Sequence, residues 1–581
     1  MNAVHSNLPA DAEPGYFGDP ARARFGWLHR AAGDDSGVGL VIVPPFGYEA
    51  VCAQRSLRHL AEDAAAAGLT AVRFDLDGSG DSAGDDLDAD RLDAWLASID
   101  DACALARGAG ANRLVLAGVR LGAVLATLAA AHRDDVAGLV AIAAVPTGKA
   151  FLREGRALQM ALGLKPASVA SNDDTQDLVG FALTAQTRAA LTAVDLLAQE
   201  QPPAPRVLLL DRDDLAPNDA WANRLQALGA QVQQRRVPGY ADMVLDPHRT
   251  VVPGAIIEAT IAFALAQPPM PAPAVRTLAL RPTASFSVDG RVIEEAPIRV
   301  AGALFGVISA PAAPARRGVL LLNAGAVARI GPNRLYVALA RRLAARGERV
   351  LRLDLSGIGD SGTRTGNVEN TVYSAHAIDD IGVAVDWLRR NGVESVVAVG
   401  LCSGAYHALQ AALAGQPIER VVAINPLTFH YEPGMPLDFA AFRVAADAAR
   451  YQRSMASSTS WKKLFAGQVD LRRVAKVLWL RASSWLGRPL RDLLRRIGMP
   501  LAGDLGAQLD ALAKRGVALR FIFADDEPGR VLLAEPGGSV VPRLSGTGVI
   551  GIDVIDGADH TFTPRWSHPQ VLDAIAAAIE R

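Results

Sequence analysis

The sequence predicts an α/β fold built twice in tandem, each copy a mostly parallel, doubly wound sheet, with a helical lid on the second. Three observations predict it. At 581 residues the chain exceeds the roughly 250–300 residues that one hydrophobic core holds, so two domains are expected. Apolar strand-like runs alternate with helical stretches in both halves, the pattern of βα units wound round a sheet. The string D-L-x-G-x-G-D-S occurs twice, starting at Asp75 and at Asp354, 279 positions apart. A second segment repeats at nearly that offset: NRLVLAGVRLGAVLATLAAA from Asn112 matches ESVVAVGLCSGAYHALQAAL from Glu394, pairing Arg120 with Cys402 at 282. Two segments sharing an offset imply duplication of a whole domain.

The junction is readable as well. Gln267–Ala274 reads QPPMPAPA, which cannot continue a helix and forms a semi-rigid spacer. The expected domains are 1–266 and 279–581, with a linker at 267–278. In the second copy, Gly318–Asn323 (GVLLLN) is a short apolar strand. Asn333–Gly347 carries Leu335, Leu339 and Leu343 at helical spacing. Strand Arg349–Leu353, helix Ala377–Arg390, strand Ser395–Val399, helix Ala405–Ala414 and strand Arg420–Ile424 follow. Continuous Val, Leu and Ile runs suit parallel strands buried on both faces.

Composition narrows the class. Half the residues are hydrophobic, 21% are charged, and the formal net charge is −2. That balance gives no whole-protein reason to expect nucleic acid as partner. The three cysteines (Cys52, Cys103 and Cys402) lie far apart, without a CxxC or a His/Cys cluster. Neither a disulfide framework nor a zinc site is expected, no metal or organic cofactor is implied, and reduced thiols fit the cytoplasm. The opening MNAVHSNLPADAEPGYFG has no basic n-region and no apolar h-region, which predicts no signal peptide.

Gly400-Leu401-Cys402-Ser403-Gly404 follows a strand and precedes a helix, the context of a G-x-nucleophile-x-G elbow. The turn is so tight that a Cβ at either glycine would strike its neighbours, and the central residue is lifted above the sheet edge in a strained conformation. That residue is Cys402. At a helix N-terminus its thiolate is favoured by the dipole and nearby amides. The alternative is a small core cysteine at a retired site.

These motifs resemble the α/β-hydrolase superfamily, twice over. A Cys at the elbow tip is similar to dienelactone hydrolase, which uses Cys, Asp and His. G-L-C-x-G-A in one copy and G-V-R-L-G-A in the other resemble two hydrolases found beside exosortase systems. The resemblance implies the rest of the site. Its histidine loop, G-x-x-H after the last strand (Gly551–Ile555), falls on His560. Its acid follows the strand Arg520–Phe523 by a small and two variable residues, which selects Glu527, with Asp526 as the runner-up. Its oxyanion hole implies the backbone N–H groups of Ser403 and Ala326, the latter in Asn323-Ala324-Gly325-Ala326.

In the first copy the same positions read differently. Arg120 stands at the elbow tip, Asp214 in the acid register and Asp242 in place of the histidine. A guanidinium is no nucleophile, so covalent hydrolase chemistry is not expected there. The three are expected either to form a buried ion-pair cluster that holds the pocket shut, or to bind an anion such as a carboxylate. Glu49, in the loop replacing the oxyanion loop, could also face Arg120.

The lid of the second copy is expected at about 427–516. Trp461–Pro500 within it holds ten Lys/Arg against two Asp, with Trp461, Phe465, Trp479 and Trp485 interleaved. It reads as a solvated basic helix packed on the core, a docking face for an acyl-carrier protein or CoA thioester, or a peripheral contact with anionic lipid.

The leading expectation is an acyl hydrolase or acyltransferase acting on an ester or thioester through Cys402, His560 and Glu527. The rival is a catalytically inactive hydrolase-like scaffold in a biosynthetic or polysaccharide-assembly pathway.

Overall fold

The computed structural model describes residues 12–161, 175–268, 276–435, 503–525 and 527–580. Two compact units divide the chain: Met1–Pro314 with Ala326–Thr371 and Thr563–Trp566, and Ala315–Gly325 with Val372–Phe562 and Ser567–Arg581. The first unit therefore runs past the Pro-rich stretch and takes in the opening strands of the second repeat.

In the first unit, strands β1 (Ala12–Phe17), β2 (Arg24–His29), β3 (Val38–Val43), β4 (Thr70–Phe74), β5 (Arg113–Val119) and β6 (Val136–Ile142) precede a small hairpin, β7 (Gln176–Leu178) and β8 (Phe181–Leu183). Then come β9 (Arg206–Arg212) and β10 (Gln231–Val237). The main sheet has the order β1-β2-β4-β3-β5-β6-β9-β10, parallel from β4 onward. Alternation along its strands sends side chains into two separate cores. Val41, Leu114 and Leu116 face one, while Leu40, Ile42 and Val115 face the other. The unit also holds β11 (Ala284–Val288), β12 (Arg291–Val300), β13 (Leu304–Pro311) and, after β14 (Arg317–Leu322) of the second unit, β15 (Arg349–Leu353). β11, β12, β13 and β15 lie side by side and antiparallel.

The repeated D-L-x-G-x-G-D-S string does the same local work in both copies. Ser82 Oγ accepts from Phe25 N–H at 2.9 Å and donates to Asp75 O at 2.8 Å. Ser361 Oγ does so with Phe305 N–H and Asp354 O, at 2.8 and 2.5 Å. Asp75 Oδ2 accepts from Asp81 N–H at 2.9 Å, and Asp354 Oδ2 from Asp360 N–H at 3.0 Å. A Cβ on Gly80 or Gly359 would sit 2.1 or 2.3 Å from that carboxylate, and both glycines have positive φ. Glycine is the residue this turn admits.

Buried charge then joins the two strings. Arg73 of β4 reaches Asp360 at 2.7 Å, and Arg352 of β15 pairs with Asp81. Arg329 lies between them, 2.7 Å from Asp81, 3.1 Å from Asp354 and 2.7 Å from Asp360. Its guanidinium sits 4.5 Å from the Phe305 ring centroid. Glu295 accepts from Arg352 (3.1 Å), Arg341 (2.9 Å), Ser309 (2.7 Å) and Tyr16 (3.3 Å). Removing charges from water is costly unless every one is answered, and here carboxylates and guanidinia answer each other.

One position lacks that answer. Asp354 meets Arg329, but the same offset places Ala50 opposite Asp75. Burial, followed by the charge of Asp81, pushes Asp75 up to about 7. An unfolded Asp loses its proton near pH 4 and the folded one near pH 7, so this carboxyl withdraws stability as pH rises between those values. Asp75→Asn is therefore expected to raise stability at pH 8 by on the order of 1 kcal/mol and to change nothing at pH 4, read from urea midpoints at both pH values.

In the second unit, β14, β16 (Ser395–Leu401), β17 (Arg420–Ile424), β18 (Ala518–Ala524) and β19 (Ile550–Ile555) are all parallel and adjacent in that order. Helices Ala377–Arg390, Ser403–Leu413 and His568–Glu580 belong to this unit. The expected strands and helices fall within two residues of these. Most of the expected lid, including Trp461, Phe465, Trp479 and Trp485, lies outside the described residues. Its end is the helix Leu505–Lys514.

Candidate active site

The elbow geometry is present in both copies. Cys402 has φ 57° and ψ −115°, and Arg120 has φ 55° and ψ −118°. In each the tip N–H is held by the carbonyl of the adjacent strand, Ile424 for Cys402 (2.9 Å) and Ile142 for Arg120 (3.0 Å). A Cβ on Gly400 would meet Gly404 backbone at 2.1 Å, and one on Gly118 would meet Gly122 O at 2.3 Å. Positive φ at a non-glycine costs about 1–3 kcal/mol and persists because the strand and helix over-determine it.

The structure brings Cys402, His560 and Glu527 together. Cys402 is half-buried, while Cys52 and Cys103 are buried. His560 Nδ1 is 3.0 Å from Glu527 Oε1, and Cys402 is near enough to favour the charged form of the same imidazole. Glu527 is 7% exposed and precedes the helix Pro528–Gly537, yet its side chain makes no cap bond to that helix. The extra methylene of Glu over Asp is accommodated at an ordinary hydrogen-bond length. Burial opposes the charged imidazolium, but Cys402 and then Glu527 outweigh it and lift His560 to about 10. Asp526, the runner-up, lies outside the described residues.

Ser403 is 1% exposed, begins the helix Ser403–Leu413, and accepts from Gly325 N–H through Oγ at 2.9 Å. The first N–H groups of a helix have no intrahelical partner, so this amide is available at the elbow. Ala326, expected as the other oxyanion donor, falls in the segment that belongs to the first unit.

Sequence reasoning missed Asn425. Its Nδ2 donates to His560 O at 2.7 Å, and its Oδ1 accepts from Ala524 N–H at 2.8 Å. It thereby ties the histidine loop to the strand that leads into Glu527. The signal was available: the elbow offset of 282 pairs Asn425 with Ala143, which has no side chain to do this. Both residues share the same unusual backbone, with φ 43° and 50°.

The first-copy site needs correcting. Arg120 pairs with Glu49 at 3.0 Å and Glu154 at 2.6 Å, and neither Asp214 nor Asp242 takes part. Asp214 is drawn to its neighbour Arg212 at 2.5 Å and is half exposed. Asp242 is exposed, because the turn Tyr240–Met243 presents Tyr240 inward instead. The Tyr240 hydroxyl donates to Glu49 at 2.9 Å. Glu154 comes from the insertion helix Gly148–Ala161, beyond the reach of register arguments.

Among the described residues, no helix is long and apolar enough to cross a membrane.

Comparison with known proteins places both regions. Residues 319–575 match the model of the alpha/beta hydrolase family, and residues 53–202 match that of serine aminopeptidase, S33. No curated protein matches the chain. It is similar to the solved structure of DcsB in complex with its substrate analogue (14% identity over 44% of this chain and 99% of that one, TM-score 0.32). It is also similar to Est1E from Butyrivibrio proteoclasticus with bound ferulic acid (20%, 43% and 98%, TM-score 0.32). A third is dienelactone hydrolase from Anabaena variabilis (14%, 52% and 97%, TM-score 0.28).

Proposed function

We infer that this chain, a tandem member of the α/β-hydrolase superfamily, is an acyl hydrolase or acyltransferase that works through Cys402. The observation that carries the reading is one imidazole, His560, held at Nδ1 by the buried Glu527 and lying near enough to Cys402 to feel its charge. The Cys402 sulfur attacks the carbonyl carbon of an ester or thioester. The Ser403 N–H stabilises the oxyanion, and His560, oriented by Glu527, gives its proton to the departing alkoxide or thiolate. The resulting thioester is released when water, an alcohol or an amine attacks it and His560 takes the attacking proton. A thioester resists water more than it resists better nucleophiles, which favours acyl transfer or thioester exchange over peptide hydrolysis. The basic stretch Trp461–Pro500 is the proposed contact for an acidic acyl-carrier protein or CoA thioester, and reduced cysteines suit a cytoplasmic setting.

Labelling and mass measurement test this. Iodoacetamide is expected to modify Cys402 at least about 100-fold faster at pH 7 than Cys52 or Cys103. Burial pushes both of those thiols up to about 12. Incubation with a panel of p-nitrophenyl esters and acyl-CoAs is expected to give an acyl adduct by intact mass. An adduct that survives Cys402→Ala, or equally slow labelling of all three thiols, would return the reading to an inactive scaffold.

A further inference from the structure

Downstream of His560 the chain reaches its last helix through Thr561–Ser567, and a few contacts fix that passage. Phe562 has φ 53°, and its carbonyl meets His568 Nε2 at 3.0 Å. The next four residues, Thr563–Trp566, are part of the first unit. There the Arg565 guanidinium reaches both carboxylate oxygens of Asp85, at 3.0 and 3.1 Å, and Asp86 Oδ1 at 3.0 Å. Its backbone N–H donates to Asp177 Oδ2 at 2.9 Å. Asp85 and Asp86 lie three and four residues past the end of the first D-L-x-G-x-G-D-S string, and Asp177 belongs to the hairpin of the first-copy insertion. Asp86 also accepts from Ala182 N–H at 2.7 Å, so hairpin and acidic loop form one receptor.

We propose that Arg565 is a positioning residue for His560, and that the acidic loop and hairpin of the degenerate first copy serve the second copy's chemistry by holding the chain five residues beyond the imidazole. Three carboxylates converge on one guanidinium and its own amide, a charge-assisted set far more directional than a surface ion pair. Arg565 is about a quarter exposed and Asp86 14% exposed, so water screens the set only in part. Without it, the segment after Phe562 loses the charge-assisted tie that lies five residues beyond the imidazole. A displacement of an ångström at a reacting group costs up to about 100-fold in rate.

This inference rests on the Cys402–His560 reading, and the test separates the two. The rate of Cys402 alkylation by iodoacetamide is measured against pH in the full chain and in His560→Ala, Arg565→Ala, Arg565→Lys and Asp86→Asn. His560→Ala is expected to displace the profile and set the floor. Arg565→Ala is expected to fall about 10–100-fold at pH 7 and move toward that floor, with Arg565→Lys recovering most of the loss. Should Arg565→Ala fail to accumulate, Asp86→Asn, which alters only the receptor, is expected to shift the profile in the same direction. A parental profile in Arg565→Ala or Asp86→Asn, whatever the melting temperature does, would overturn the inference while leaving the Cys402–His560 pair intact. A parental profile in His560→Ala would overturn both.

Discussion

Replacing His560 with alanine should lower Cys402-dependent ester turnover by on the order of 10⁴-fold or more, because a triad acts as a unit and loses nearly everything with its base. The effect carries a pH signature with a definite sign. Burial works against the imidazolium, yet Cys402 and Glu527 lift His560 from its ordinary value near 6.5 to about 10. A raised histidine contributes stability that is fully present below pH 6.5 and is lost as pH climbs toward 10. The stability gap between parent and His560→Ala should therefore be at its full width by pH 6.5, narrow as pH rises and close above about pH 10, in denaturant titrations at both ends. Turnover should persist through neutral pH with an alkaline limb near pH 10. Glu527→Gln removes the acid that holds the imidazole and should move that limb to lower pH. A limb unmoved by Glu527→Gln would mean that the carboxylate does not govern the imidazole.

The second large effect belongs to Arg329. Arg329→Met leaves Asp81, Asp354 and Asp360 facing one another in a dry interior, and breaking such a set by removing one partner costs about 3–5 kcal/mol. Burial alone would push Asp81 and Asp360 up, but Arg329, with Arg352 on one and Arg73 on the other, holds both below the usual carboxylate range. Stability from depressed carboxyls is present above about pH 4 and lost as pH falls through their folded values. The variant's deficit should thus be large at pH 7 and shrink in acid, measured by guanidinium midpoints across that range. A deficit independent of pH would assign the loss to packing against Phe305 instead.

The elbow with Cys402 at its tip was legible because its geometry is local: glycine spacing and a strand–turn–helix order leave one backbone solution. His560 and Glu527 followed only from the family resemblance, and the reach of Glu527 to the imidazole could be judged only in three dimensions. The partners of Arg120 were not legible. Register pointed to Asp214 and Asp242, but a charged side chain pairs with whatever tertiary packing brings near, and packing brought Glu49 and Glu154. Asn425 was hidden for another reason. A lone asparagine after a strand says nothing until its counterpart Ala143 is set beside it. Nor did the Pro-rich spacer foretell that the two D-L-x-G-x-G-D-S strings would share one set of buried charges.

That shared set has a hidden symmetry. At the 279-residue offset Arg73 corresponds to Arg352 and Asp81 to Asp360, and the pairs are exchanged: Arg73 takes Asp360 while Arg352 takes Asp81. Tyr16 and Glu295, also 279 apart, touch each other. Reciprocal contacts with self-contact on the axis are the mark of an isologous two-fold interface between identical chains. The same reciprocal pattern occurs here within one polypeptide, inside the first unit: Tyr16, Arg73 and Asp81 from one repeat are answered by Glu295, Asp360 and Arg352 from the other.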